Sequence, residues 1–119
     1  MTTQEIAKRL VELCRKGNFE SAQEELFSKD AKSIEPHATP AFQRETAGLD
    51  AIKKKGEMWE SMVEKTHQMT VSEPLIAGDT FAVSMDMDVT MKERGRTKMK
   101  ELCVYSVKDG KIVLEEFFS

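Results

Sequence analysis

Six apolar residues, Phe81, Val83, Met85, Met87, Val89 and Met91, occupy every second position of the stretch TFAVSMDMDVTM. Ala82, Ser84, Asp86, Asp88 and Thr90 lie between them. A side-chain period of two belongs to an extended strand with one face against a core and the other toward solvent. Such a strand cannot stand alone, because its backbone groups need neighbouring strands and its apolar face needs a cover. The segment before it reads as a strand from His67 on, turning at Gly78–Asp79, with Pro74 marking a bulge or an edge. After it, KERGRT turns into KMKELCVYSV, where Met99, Glu101, Cys103, Tyr105 and Val107 share a face. KDG then turns into KIVLEEFF. The second half of the chain is therefore expected to be four antiparallel strands.

The first half has the helical period instead. Thr2 and Glu5 have the spacing of a capping box, and Ile6, Leu10, Leu13 and Cys14 follow on one stripe. Gly17 suits a left-handed exit. Asn18 can cap a second helix carrying Phe19, Ala22 and Leu26 and ending near Lys29. AKSIEP reads as a short strand stopped by Pro36, and the residues from His37 to Gly48 as a loop. Leu49, Ile52, Gly56, Trp59 and Val63 mark a third helix. Gly56 weakens it by about 1 kcal/mol relative to Ala, which a close packing partner would explain. Three helices interrupted by one strand, then four strands, predict an α+β fold: one domain over residues 1–119, its curved, mostly antiparallel sheet wrapped around three N-terminal helices.

Several classes of function fit poorly. A net charge of −3 argues against a dedicated nucleic-acid binder, which needs surplus Lys and Arg for phosphates. No apolar run approaches the roughly 18–20 residues of a membrane span, and MTTQEIAKRL lacks the apolar core of a signal peptide. The two cysteines, Cys14 and Cys103, have no metal-ligand spacing and make no disulfide framework. Both sit in apolar patterns as buried free thiols, which fits the cytoplasm.

The segments LVELCRKGNFESAQEELFSKDAKSIEP, GLDAI and DGKIV, in this order, resemble the nuclear transport factor 2-like superfamily in its SnoaL-like branch, which includes polyketide cyclases and steroid isomerase relatives. The resemblance covers most of the chain. It implies a cystatin-like, cone-shaped half-barrel whose helices close one side of a ligand pocket, and often a homodimer. In the related steroid isomerase a carboxylate just before a proline, at the end of the first strand, is the base. DAKSIEP puts Glu35 there. That enzyme's oxyanion hole pairs a tyrosine on the first helix with a protonated aspartate on the penultimate strand; here those positions read Leu10 and Cys103. The set is missing, which argues against steroid-type enolisation. The Asp–Arg–Asp constellation of the epoxide-hydrolase relatives has no match either.

The candidate catalytic residues are Glu35 and His37. Pro36 restricts Glu35 to an extended backbone and ends the ladder, so EPH reads as a carboxylate fixed at a cavity entrance with a histidine beside it. Burial would raise the acid's pKa toward a useful base or acid; the plainer reading is a solvated strand-end acid and a loop histidine. His67 reads as a surface residue. Trp59, Met62, Met85, Met87 and Cys103 are candidate walls of an apolar pocket, or simply core. Glu101 shares a face with Cys103 and could pair with Glu35 or line the rim. The turn before the last strand could carry a bulge, which leaves open whether Val113, Glu115 and Phe117 or Ile112, Leu114, Glu116 and Phe118 face inward; the resemblance favours Glu115 inward, and Phe117 is a further candidate for the pocket. Lys92, Arg94, Arg96, Lys98 and Lys100 flank a hairpin tip, with Lys100 placed to neutralise Asp88. The run Lys53–Lys54–Lys55 is assigned to the polar side of the third helix. Leu102 and Val104 among Asp86, Asp88, Lys98 and Lys100 suit a two-fold homodimer interface. Together these residues predict binding of a small apolar molecule, with Glu35 as general acid or base in an isomerase, cyclase or hydrolase without metal or cofactor. The alternative is a non-catalytic binding or dimeric interaction module.

Overall fold

The computed structural model describes residues 1–119. The chain opens with α1 (Thr3–Arg15), preceded by the expected capping box: Glu5 N–H donates to Thr2 Oγ1 at 3.1 Å, and Thr2 N–H donates to Glu5 Oε1 at 2.8 Å. The second helix, α2 (Phe19–Leu26), forms without the expected side-chain cap; Asn18 contributes only its backbone carbonyl, which accepts from Ala22. α2 also stops short of Lys29, because Phe27 already belongs to β1 (Phe27–Ile34). Phe27 and Ala31 are buried, and β1 pairs in parallel with the end of the chain, a partner no local propensity reports.

The loop expected between His37 and Gly48 contains a short strand, β2 (Glu45–Ala47), antiparallel to β1. α3 (Leu49–Met62) follows and runs directly into β3 (Val63–Val71). This strand begins before His67, the expected start. Its first residues face solvent on both sides, so burial leaves no period there, and pairing with the far end of the next long strand defines it. A Cβ on Gly56 would meet only the Gln23 side chain at 3.9 Å, so no close packing partner demands this glycine. β4 (Leu75–Ala77) lies beyond Pro74, and β5 (Thr80–Met91), β6 (Gly95–Lys108) and β7 (Lys111–Phe118) complete the chain. Asp109 and Gly110, at φ 52° and 75°, make the β6–β7 turn, the two left-handed positions of a type I′ hairpin.

The strands form one curved, unclosed mixed sheet in the order β2-β1-β7-β6-β5-β3, with β4 pairing on β5. Only β1 and β7 are parallel. The helices cover its inner face, so the fold is α+β. Ile6, Leu26, Ile52, Phe81, Val83, Cys103 and Ile112 are fully or almost fully buried, and Phe81 stacks on Tyr105 at 4.9 Å. A bulge lies where Val107 pairs with Ile112 but Ser106 pairs with Leu114. It places Ile112 inward on one side and Glu115 and Phe117 inward on the other, opposite Tyr105 and Cys103. Neither unbroken alternation of the last strand is the observed one.

Candidate functional site

Ser33 and Glu115 are register partners on β1 and β7, and both side chains point to the inner face. Ser33 Oγ donates to Glu115 Oε1 at 2.7 Å. Lys55 reaches the same point from α3, where Ile52, Lys55, Trp59 and Met62 share a helical face. Its Nζ donates to Ser33 Oγ at 2.5 Å and to Glu35 Oε1 at 3.4 Å. The Lys55 and Glu35 side chains are 14% and 22% exposed, so the pair lies partly buried at the rim. Phe117 presents its ring to Lys55, with Nζ 5.4 Å from the centroid. Glu101 completes the group from β6, one inward position beyond Cys103 and opposite Met85. The three lysines do not share the expected polar side of α3: Lys53 pairs outward with Glu24 and Glu20, at 2.6 and 3.6 Å, but Lys55 turns inward to Ser33. Ser33 and Lys55 are the members of the site that sequence reasoning missed. The available signal was the spacing from Ile52 to Lys55 to Trp59.

The charges here do not balance. Glu115 is buried, and desolvation pushes its carboxyl up to about 7. The Ser33 hydrogen bond and the Lys55 charge pull the other way, while Glu35 and Glu101 push it further up. Burial also raises Glu101, helped by Glu35 and opposed by Lys55. Three carboxyls therefore surround one ammonium, and the deepest of them holds its proton into the neutral range. Tyr105 and Cys103, buried behind Glu115, are raised well above their ordinary values by desolvation, so neither supplies an anion here.

The other candidates lie around this group in different degrees. Met85 is buried; Met87 is half-buried and lies in register between Met69 and Met99, a methionine row across β3, β5 and β6. Trp59 and Met62 are half-buried on α3. Cys103 is fully buried in the core opposite Phe117. His37 is exposed on the loop after Glu35, and His67 is exposed on β3 with Nε2 2.6 Å from Thr90 Oγ1. On the outer face Arg96, not Lys100, neutralises Asp88: Nε and Nη2 reach its oxygens at 3.0 and 2.8 Å, while Lys100 is the backbone register partner of Asp86. Two open depressions of about 520 Å³ lie away from the site, one lined by Met1–Gln4 and the β6–β7 turn, the other by α1, Glu73, Pro74 and Ile76. No group of three or more His, Cys, Asp or Glu side chains is placed to hold a metal ion. No helix is long and apolar enough to cross a membrane.

The sequence matches the model of the SnoaL-like domain over residues 1–119. Among solved structures, a Mesorhizobium loti protein described as a SnoaL-like polyketide cyclase is 35% identical, with full coverage of both chains and a TM-score of 0.92. A Xanthomonas campestris protein with a cystatin-like fold is 20% identical, with a TM-score of 0.73 over 100% of this chain and 91% of that one. A Catenulispora acidiphila protein of ketosteroid isomerase-like fold, solved with trimethylamine, is 16% identical, with a TM-score of 0.69 over 97% and 85%. The sequence matches no curated protein.

Proposed function

This chain belongs to the SnoaL-like domain family, and on that premise we propose that it binds a small, mainly apolar molecule at the rim of the inner face and moves a proton on it with Glu35. The observation that carries this reading is the meeting of Glu115 and Lys55 on buried Ser33, with Glu35 on Lys55 and Glu101 near enough for its charge to act with both Glu35 and Lys55. Buried polar side chains cost stability unless hydrogen bonds or ion pairs offset the lost hydration, so a cluster of four acid and amine groups at a covered sheet face is not there for packing alone. Glu35, at the rim, is the member that a ligand can reach while still being close to a cation. Trp59, Met62, Met85, Met87 and Phe117 offer an adaptable apolar wall for the body of the molecule. Glu101 and Glu115 set the charge behind it, and His37 stands at the entrance as a second proton carrier. The trimethylamine in one neighbour supports a small organic guest for this fold. The chemistry needs no metal or cofactor. Two free, buried cysteines fit the reducing cytoplasm.

The outer face supports a homodimer. Leu102 and Phe118, 45% and 47% exposed, are cross-strand partners, flanked by Asp86, Lys98 and Lys100. Opposite charges around an apolar centre let the patch meet its own copy across a two-fold axis.

The test is a panel of apolar ketones, phenols and amines titrated against Trp59 fluorescence, then assayed for turnover. We expect saturable quenching by members of the panel. In Glu35→Gln, any turnover should fall about 100-fold or more, the scale of a lost acid–base group, with folding unchanged. Binding that survives in both proteins without turnover in either would favour a binding-only domain, the reading consistent with Leu10 and Cys103 at the missing oxyanion-hole positions. No binding by any member refutes the site.

A further inference from the structure

The strongest objection to proton abstraction at Glu35 is the absence of a group to receive the negative charge that the departing proton leaves behind. Such a group is usually the largest catalytic contribution. We propose that Lys55 is that group: its ammonium binds the substrate oxygen on which the charge develops as Glu35 takes the proton. The proposal rests on the proton-transfer reading above and adds a residue and a substrate class to it.

The geometry supports this in four ways. First, the ammonium has three N–H donors and two acceptors; one is Ser33 Oγ at 2.5 Å, and the other is Glu35 at a long 3.4 Å. One donor is free, and the weaker contact is cheap to give up. Second, base and cation are neighbours, so one small molecule can touch both at once. Third, Lys55 is held rather than waving. Its side chain is 14% exposed, seated on the Phe117 ring and anchored to a fully buried serine that is itself fixed by Glu115. A preorganised cation costs no reorganisation when charge appears. Fourth, its charged surroundings are carboxyls: Glu35, directly after β1, lies 3.4 Å from its Nζ, and its charge acts on Glu101 of β6 and Glu115 of β7.

The step balances within the site. The Glu35 carboxylate accepts a proton from a neutral substrate, and the electron pair left behind moves onto the substrate oxygen. The total charge does not change. Glu35 then returns the proton to the same or another substrate atom. The substrate class is a neutral, mainly apolar molecule with an oxygen that becomes anionic when an adjacent C–H or O–H is lost. A permanently cationic ligand is disfavoured beside Lys55.

A phenol reports this without knowledge of the natural substrate, because its ionised form carries the same charge on oxygen and absorbs visibly. With 4-nitrophenol as the probe, the ionised fraction of the bound molecule is read by absorbance across pH in the wild type, Lys55→Met, Lys55→Arg and Glu35→Gln, each checked for folding by circular dichroism. We expect Lys55→Met to weaken the acidity of the bound phenol about tenfold or more, as expected for losing a unit charge at contact distance. Lys55→Arg should largely restore it, and Glu35→Gln should strengthen it by removing an opposing charge. Bound phenol whose acidity is the same in wild type and Lys55→Met overturns the role of Lys55 while leaving the site in place. Failure of the wild type to bind the phenol at all overturns both. If Lys55→Met does not fold, Lys55→Gln takes its place, and bound phenol as acidic in folded Lys55→Gln as in the wild type overturns the proposal.

Discussion

Replacing Glu115 by Gln should make the protein more stable at neutral pH and change it little in acid. In the unfolded chain Glu115 titrates near the ordinary 4.5, but in the fold burial raises it to about 7. Below the lower value both states carry the proton, and the residue adds no pH dependence. Between the two, the unfolded chain has released its proton while the fold retains it, so the unfolded state binds fewer protons and stability falls as pH rises. Above about 7 the fold must hold a buried carboxylate, and the loss is complete. At about 1.4 kcal/mol per pH unit, the separation amounts to about 3 kcal/mol. The groups that face Glu115 are Ser33, Lys55, Glu35 and Glu101, with Cys14, Cys103 and Tyr105 behind it. Glutamine keeps the shape, accepts from Ser33 Oγ and never ionises. The assay is thermal unfolding of both proteins from pH 4.5 to 8. The melting-temperature advantage of Glu115→Gln should be near zero at the acid end and grow to about 10 °C at the alkaline end, as expected for a chain of this size. A difference that is constant across this range would mean that Glu115 titrates normally and that the reasoning about the buried cluster is wrong.

Two further outcomes concern the rest of the molecule. Gly56 sits in a helix with room for a methyl group, so Gly56→Ala should raise stability by about 0.5–1 kcal/mol in a denaturant titration; a loss would show a close contact the helix does not reveal. Leu102→Glu on the outer face should leave the fold intact and halve the particle mass in light scattering from a dimer of 13.5 kDa chains; a wild type that scatters as a monomer at tens of micromolar removes the interface.

The parts legible in the sequence are those where one residue's environment is set by its near neighbours. The alternation through β5, the Thr2–Glu5 box and the Asp109–Gly110 turn are local statements, and the structure bears them out. The errors arise where a distant partner decides. Phe27 is extended because it meets Ile112, and Val63 because it meets Met91. Lys55 was misassigned for a different reason. Three adjacent lysines look like one solvated run, yet adjacent helical residues point about 100° apart. Lys53 and Lys55 therefore cannot share a face, and only Lys55 falls on the stripe of Ile52 and Trp59.

The site itself shows why its composition could be guessed in part but its geometry could not. Ser33, Lys55, Glu101 and Glu115 come from β1, α3, β6 and β7, and their meeting depends on register. Ile112 is a core residue that must face inward; strict alternation from it would bring Leu114 and Glu116 to the inner face and send Glu115 to solvent. The bulge between the Val107–Ile112 and Ser106–Leu114 pairs shifts the phase once and delivers Glu115 beside Ser33. An unshifted strand would have put Leu114 opposite Tyr105 and buried no acid there. The bulge thus trades ordinary core packing for a buried carboxyl next to Ser33 and, through it, Lys55. Above about pH 7 the ionised Glu115 costs the sheet stability, a cost that the proposed chemistry at this cluster would explain.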